Sequence, residues 1–204
     1  LCVYCLHRLK QVTQSTLIAG EYTMTDFTFH TVETAPEKSK PILEKSLKTN
    51  GMIPNLHAVM AEAPGLLEGY QVLHKLFMDS SFDAEELTVV WQTINVEHNC
   101  TYCVPAHTAI ANSMKVSAEL TEALRNREAM PTEKLQVLHD TTLAMVRERG
   151  AVSDDVIQKF FAAGYGQRQL LEIILGLSQK VMSNYTNHVA NTPVDEPFKK
   201  FAWK

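Results

Sequence analysis

The chain has 204 residues, 45% of them hydrophobic, and a formal net charge of -4 at pH 7. That length and apolar content allow one domain with a real core, while the charge leaves no basic footprint for nucleic acid or an anionic membrane. No apolar run approaches the roughly 20 residues needed to span a bilayer, so a soluble protein is expected.

Residues 1–23 start with Leu1 and carry only Arg8, Lys10 and Glu21 as formal charges. Their apolar run is interrupted by His7, Arg8 and Lys10, a poor match to the hydrophobic region of a secretory signal. They are read as a disordered upstream extension, and residues 24–204 as a single helical domain. Cys2 and Cys5 form a Cys-x-x-Cys inside the extension, with no helical or metal-ligand context. Four cysteines do not make a disulfide scaffold, so the cytoplasm is the default compartment. There a Cys-x-x-Cys is more often catalytic or metal-bound than a static crosslink.

From Met24 to Ala35 the text is polar and Thr-rich, an extended lead-in. Pro36 opens a helix to about Thr49, which Asn50-Gly51 ends because glycine accepts the left-handed turn after a helix. Ile53-Pro54-Asn55 restarts the chain into a short helix that Ala63-Pro64-Gly65 stops, and Leu66 to Met78 reads as the next. From Ala84, Leu87, Val90, Trp91 and Ile94 repeat at helical spacing. That helix delivers Glu97 to Glu97-His98-Asn99-Cys100-Thr101-Tyr102-Cys103-Val104-Pro105-Ala106-His107, which holds two thiols, an imidazole and a carboxylate within eleven residues. Asn99 or Thr101 can cap the helix that follows, and a start near Thr101 relieves most of the strain a helical Pro105 would bring. Ser117, Pro131 and Ser153 open further helices. Leu170, Ile173, Ile174, Leu177 and Val181 form the apolar stripe of a last long one. Phe198, Phe201 and Trp203 make an aromatic tail expected to dock on its own core or on a neighbouring subunit. Nothing reads as a strand, and without a βαβ pattern the Cys pair does not point to a thioredoxin fold.

Cys-x-x-Cys places two sulfurs close enough for a small-ring disulfide, and on a helix His107 shares a face with Cys103 four residues before it. Unpaired N–H groups at a helix start favour thiolate over thiol. Two other uses of these residues stay open. The cysteines can be buried as small apolar side chains, or Cys100, Cys103 and His107 can bind zinc with His98 or Glu97 as a fourth ligand, although no second ligand pair follows.

Glu-x-x-Cys-x-Tyr-Cys-x-x-x-His, with Asn50-Gly-Met-Ile-Pro-Asn-Leu-His57 before it and Ser183-Asn-Tyr-Thr-Asn-His188 after it, resembles the AhpD-like alkylhydroperoxidases of the carboxymuconolactone decarboxylase superfamily. The resemblance runs from about Met24 to the C-terminus. It implies an all-α, multi-helix fold with the Cys pair at a helix N-terminus, a homo-oligomer, and reduction of a hydroperoxide without metal or organic cofactor. Cys103 would attack the peroxide, Cys100 would resolve the sulfenic acid and meet an external dithiol or reductase protein, and His107 with a carboxylate would relay protons. Tyr102 is a further hydrogen-bonding candidate. Many relatives carry a glutamate twelve residues before the first Cys, where this chain has Thr88. Glu97 is therefore the expected relay carboxylate, with Glu86 as the other route. Relatives also usually carry a small residue at the place of Pro105. A decarboxylase-like lyase and a non-enzymatic helical or zinc-stabilised module are the competing functions; the lyases of the superfamily do not depend on a Cys pair.

Overall fold

The computed structural model describes residues 27–204, which places the expectations for residues 1–23, Cys2 and Cys5 outside the described residues. Among the described residues nine α-helices follow one another: α1 (Lys40–Asn50), α2 (Asn55–Met60), α3 (Pro64–Met78), α4 (Ala84–Glu97), α5 (Cys103–Ser113), α6 (Ala118–Asn126), α7 (Glu133–Arg147), α8 (Asp154–Ala162) and α9 (Gln167–Ala190), then a 3-10 turn at Glu196–Phe201. Among the described residues there is no strand, so the fold is all-α. No helix among them is long and apolar enough to cross a membrane.

The scaffold is centred on α4. A reciprocal capping box fixes its start, Asp83 accepting from the Glu86 N–H and Glu86 from the Asp83 N–H. Eleven consecutive residues, Glu86 to Val96, are buried, because α4 packs on α5, α6, α7 and α9 at once. A helix covered on all sides cannot be merely amphipathic. Its polar residues Gln92 and Asn95 are inside and must find partners there. Phe77, Trp91, Leu120, Leu138, Phe160 and Ile173 fill the main core around it.

α3 and α9 cross closely at Gly176. A Cβ there would lie 2.7 Å from the Phe77 ring, so only glycine admits that contact. The inward face of α9 also differs from the apolar stripe expected. Ile173 is buried, but Ile174 is 45% exposed, and the residues facing inward farther along are Gln179, Lys180, Ser183, Asn184 and Asn187. The second half of α9 is packed against the thiol segment, which needs polar partners rather than more hydrocarbon.

The aromatic tail docks on its own chain. Trp203 is buried with Val96 and Val104 and donates its indole N–H to the Arg125 carbonyl at 3.0 Å. Arg125 returns hydrogen bonds to the carbonyls of Phe201 and Ala202.

Candidate active site

α4 ends in a left-handed turn at Asn99 (φ 56°), closed by the Cys100 N–H donating to the Asn95 carbonyl at 3.0 Å. Asn tolerates this conformation better than other residues with a Cβ. Asn99 therefore terminates α4 instead of capping α5, and Thr101 does not cap either, since no side-chain oxygen serves the start of α5. A sulfur takes that place: Cys100 Sγ accepts the Cys103 N–H at 3.2 Å, while the Cys100 carbonyl accepts from Val104. Pro105 is the third residue of α5, where a helix has no intrahelical partner for its N–H in any case, so the proline is accommodated without a kink.

Both thiols are buried, Cys100 fully and Cys103 to within 2%, and neither is in a disulfide. Their environments push them apart. Burial alone would raise the Cys103 thiol. The interaction with Cys100, the charge of Lys180, and the Asn184 and Asn187 amides outweigh burial and pull it down. Asn187 Nδ2 approaches Cys103 Sγ at 3.2 Å. Cys100 is pushed up strongly, first because its S–H is the donor to Cys103, then by burial. The two thiols are thus driven in opposite directions, Cys103 down and Cys100 up.

His107 lies one helical turn beyond Cys103, with Nε2 2.9 Å from Lys180 Nζ. Burial first, then the charges of Lys180 and His74, holds the imidazole well below its usual range and neutral. Its ring packs edge-on against Trp91 with centroids 4.8 Å apart, and Trp91 stacks on His74 at 5.3 Å. Cys103, His107, Lys180, Tyr70, His74 and His57 line a cavity of about 570 Å³. A smaller one of about 330 Å³ lies on the other side, bordered by Cys100, Tyr102, Asn187 and His98.

A relay of amides ties the site to the scaffold. His98 Nδ1 donates to Asn184 Oδ1 (2.8 Å), Asn184 Nδ2 to Asn95 Oδ1 (3.0 Å), and Asn95 Nδ2 to Gln92 Oε1 (3.0 Å). Gln92 Nε2 donates in turn to the Val104 carbonyl and Thr108 Oγ1 in α5. These bonds fix the orientation of α5 relative to α9 and with it the placing of the sulfurs.

The structure thus brings Cys100, Cys103 and His107 together. It does not bring Glu97 or Glu86 to them. Glu97 forms a two-pronged ion pair with Arg147, at 2.7 and 3.0 Å, and that hydrogen bond holds its carboxyl below the usual range. Glu86 is taken by the α4 cap and by Lys134 at 2.8 Å. Thr88 turns its hydroxyl to the Ala84 carbonyl. The Tyr102 hydroxyl donates to Asp195 Oδ2 at 2.5 Å and accepts the Leu56 N–H at 3.3 Å, so both its bonds go to groups other than the sulfurs. His98, the other zinc candidate, is engaged by Asn184, and among the described residues no three His, Cys, Asp or Glu side chains converge to hold a metal ion. Lys180, Asn184, Asn187 and Asp195 were not anticipated as site residues. A signal for three of them exists, because positions 180, 184 and 187 repeat at helical spacing as a polar stripe on α9.

No family model matches the sequence, and no curated protein does. Solved structures do match. The alkylhydroperoxidase AhpD core of an uncharacterized peroxidase-related protein from Ralstonia eutropha JMP134 superposes with a TM-score of 0.75 at 14% identity, over 86% of this chain and 94% of that one. The chain has the AhpD-like fold. An uncharacterized peroxidase-related protein from Silicibacter sp. TM1040 matches at TM-score 0.71 and 19% identity, over 88% and 97% of the two chains. The debrominase Bmp8, as a cysteine-to-alanine variant in complex with 2,3,4-tribromopyrrole, matches at 0.70 and 15%, over 85% and 93%. The AhpD-like fold therefore accommodates more than one chemistry on a similar frame.

Proposed function

We propose that this protein is a thiol-dependent peroxidase in which Cys103 attacks a hydroperoxide and Cys100 resolves the product. The observation that carries the reading is the asymmetry of the pair: Asn187 Nδ2 lies 3.2 Å from Cys103 Sγ but 4.0 Å from Cys100 Sγ, and the surroundings pull the Cys103 thiol down while pushing that of Cys100 up. Thiolate is the attacking form. Cys103 Sγ takes the distal oxygen of the peroxide, the O–O bond breaks, and the sulfenic acid condenses with the Cys100 thiol to a disulfide and water. An external dithiol resets the site by attacking Cys100, because Cys103, the lower-pKa thiol, is the better leaving group. The cavity beside Cys103, with apolar walls that include Tyr70, Ile110 and Phe198, suits an organic hydroperoxide. No step calls for a metal or organic cofactor. The apolar residues Val72 and Leu76 of α3 and Leu171 and Ile174 of α9, each at least 45% exposed, favour a homo-oligomer.

The test is cumene hydroperoxide consumption with dithiothreitol as reductant, followed by mass spectrometry. Cys103→Ser abolishes consumption, whereas Cys100→Ser leaves a dimedone-trappable sulfenic acid on residue 103. Sulfenic acid trapped only on Cys100 reverses the roles. A second reading follows from the debrominase neighbour and the apolar cavity: the same thiolate can take bromine as Br⁺ from an electron-rich bromo-aromatic, the C–Br electron pair staying on the ring carbon, which takes up a proton. Cys100 would then displace bromide from the sulfenyl bromide to form the disulfide. Bromide release from a brominated pyrrole, in the absence of peroxide consumption, selects it.

A further inference from the structure

Lys180 is fully buried, and among the described residues its polar contact is a histidine rather than a carboxylate. An ammonium buried without a counter-ion is costly, so such a lysine either loses its proton or pairs with a nearby anion. The titratable groups facing it are Cys100, Cys103 and His107 on the thiol segment and His74 on α3. Burial pushes the lysine down, and the thiol segment, Cys103 first and then Cys100, works against that push. An ammonium has no acceptor, so with Lys180 charged, Nε2 of His107 must accept and the ring proton lies on Nδ1. That Nδ1 is buried and, among the described residues, without a hydrogen-bond partner, on a residue that lines the large cavity. An unsatisfied donor there is open to an oxygen that reaches it as substrate enters.

We propose, building on the peroxidase reading, that Lys180 is the proton source of the oxidative half-reaction and acts through His107. In the reduced protein its ammonium balances the Cys103 thiolate. When the thiolate takes the distal OH of R–O–OH, the departing alkoxide accepts the Nδ1 proton of His107, and Nε2 takes a proton from Lys180. The balance is thiolate, thiol, ammonium and ROOH going to disulfide, neutral amine, ROH and water. Both charges disappear together, so oxidation leaves no uncompensated ion in the core. Reduction by a dithiol restores thiolate and ammonium together. Lys180 is thus a positioning residue that stands where a relay carboxylate was expected from the sequence, with a cation in the carboxylate's place.

Proton stoichiometry tests this on the wild-type protein. The reduced protein is oxidised at pH 7.5 with one equivalent of the azo oxidant diamide, in weak buffer containing a pH indicator. With Lys180 giving up its proton, no net proton is taken from solution; uptake of one proton per disulfide overturns the proposal. This experiment needs no peroxide, so failure of the peroxidase reading leaves it intact and is seen separately as absent cumene hydroperoxide consumption. Two variants supply the kinetic arm, with circular dichroism checking their folds. Lys180→Met raises the pH midpoint of Cys103 alkylation by iodoacetamide by two units or more. Lys180→Arg keeps the low midpoint, since the charge remains, yet slows single-turnover reaction with cumene hydroperoxide at least tenfold, since arginine does not release a proton. An unchanged midpoint in Lys180→Met, or wild-type single-turnover rates in Lys180→Arg, overturns the assignment. Where a variant fails to fold, the wild-type stoichiometry decides.

Discussion

The hydroxyl of Tyr102 joins three stretches of chain that are far apart in sequence. It donates to Asp195 at 2.5 Å and accepts the Leu56 N–H at 3.3 Å, while the other oxygen of Asp195 accepts the Asn55 N–H at 3.0 Å. Tyr102→Phe removes both hydroxyl bonds and no hydrocarbon. A hydrogen bond to a charged group contributes about 1.5–3 kcal/mol, and a buried N–H left unpaired costs about 1–3 kcal/mol. Tyr102 borders both cavities, so water can take the vacated position and recover part of the loss. The expected net destabilisation is therefore about 2–3 kcal/mol, equivalent to about 4–12 °C in Tm for a chain of this size. Urea unfolding under reducing conditions, followed by circular dichroism, should show a lower midpoint with an unchanged slope. The phenol is pushed up by burial and by Asp195, so it stays protonated, and the pH profile of Cys103 alkylation should not move. A stability loss below about 0.5 kcal/mol, the size of a neutral surface substitution, would refute the structural role. A shift of the alkylation midpoint by a full unit would return Tyr102 to the proton relay.

Glu97→Gln should cost no more than about 1 kcal/mol, because its pair with Arg147 is at the surface, and should leave peroxide turnover within twofold of wild type; a tenfold loss in the steady-state assay would place the carboxylate in the relay after all. Burial holds His57 and His74 at about 4. The unfolded chain then binds more protons than the folded one between about pH 6.5 and pH 4. Their contribution is fully present above pH 6.5, is lost as the pH falls through that window and levels off below it. Each accounts for about 3 kcal/mol of acid destabilisation, and His57→Gln with His74→Gln should flatten the dependence of unfolding free energy on pH over that range.

The thiol pair, its histidine and the helical frame were legible because each is a local pattern. Cys100 to His107 is one short segment, and stripes such as Leu87, Val90, Trp91 and Ile94 repeat at one period. The partners of the sulfurs were not legible in the same way. Asn187 meets Cys103 across 84 residues of sequence, and Lys180 meets His107 across 73. A buried lysine on α9 runs against the usual preference of lysine for water, so the apolar stripe of that helix, whose Leu170, Ile173 and Leu177 do pack on the main core, gave no hint of the polar residues buried farther along. Glu97 looked well placed because it is near the cysteines in sequence. Proximity along the chain did not fix its direction; Arg147, fifty residues on, did.

The order in which the chain leaves the ribosome adds a consequence. Cys100 and Cys103 emerge long before Lys180, Asn184 and Asn187, and Asp195 follows Tyr102 by 93 positions. Until α9 is complete and has packed, the two cysteines are ordinary thiols on a nascent helix, without the amides and the ammonium that tune them. The partners of the sulfurs are therefore in place only late in synthesis, and a product truncated before α9 would carry the Cys-x-x-Cys without them.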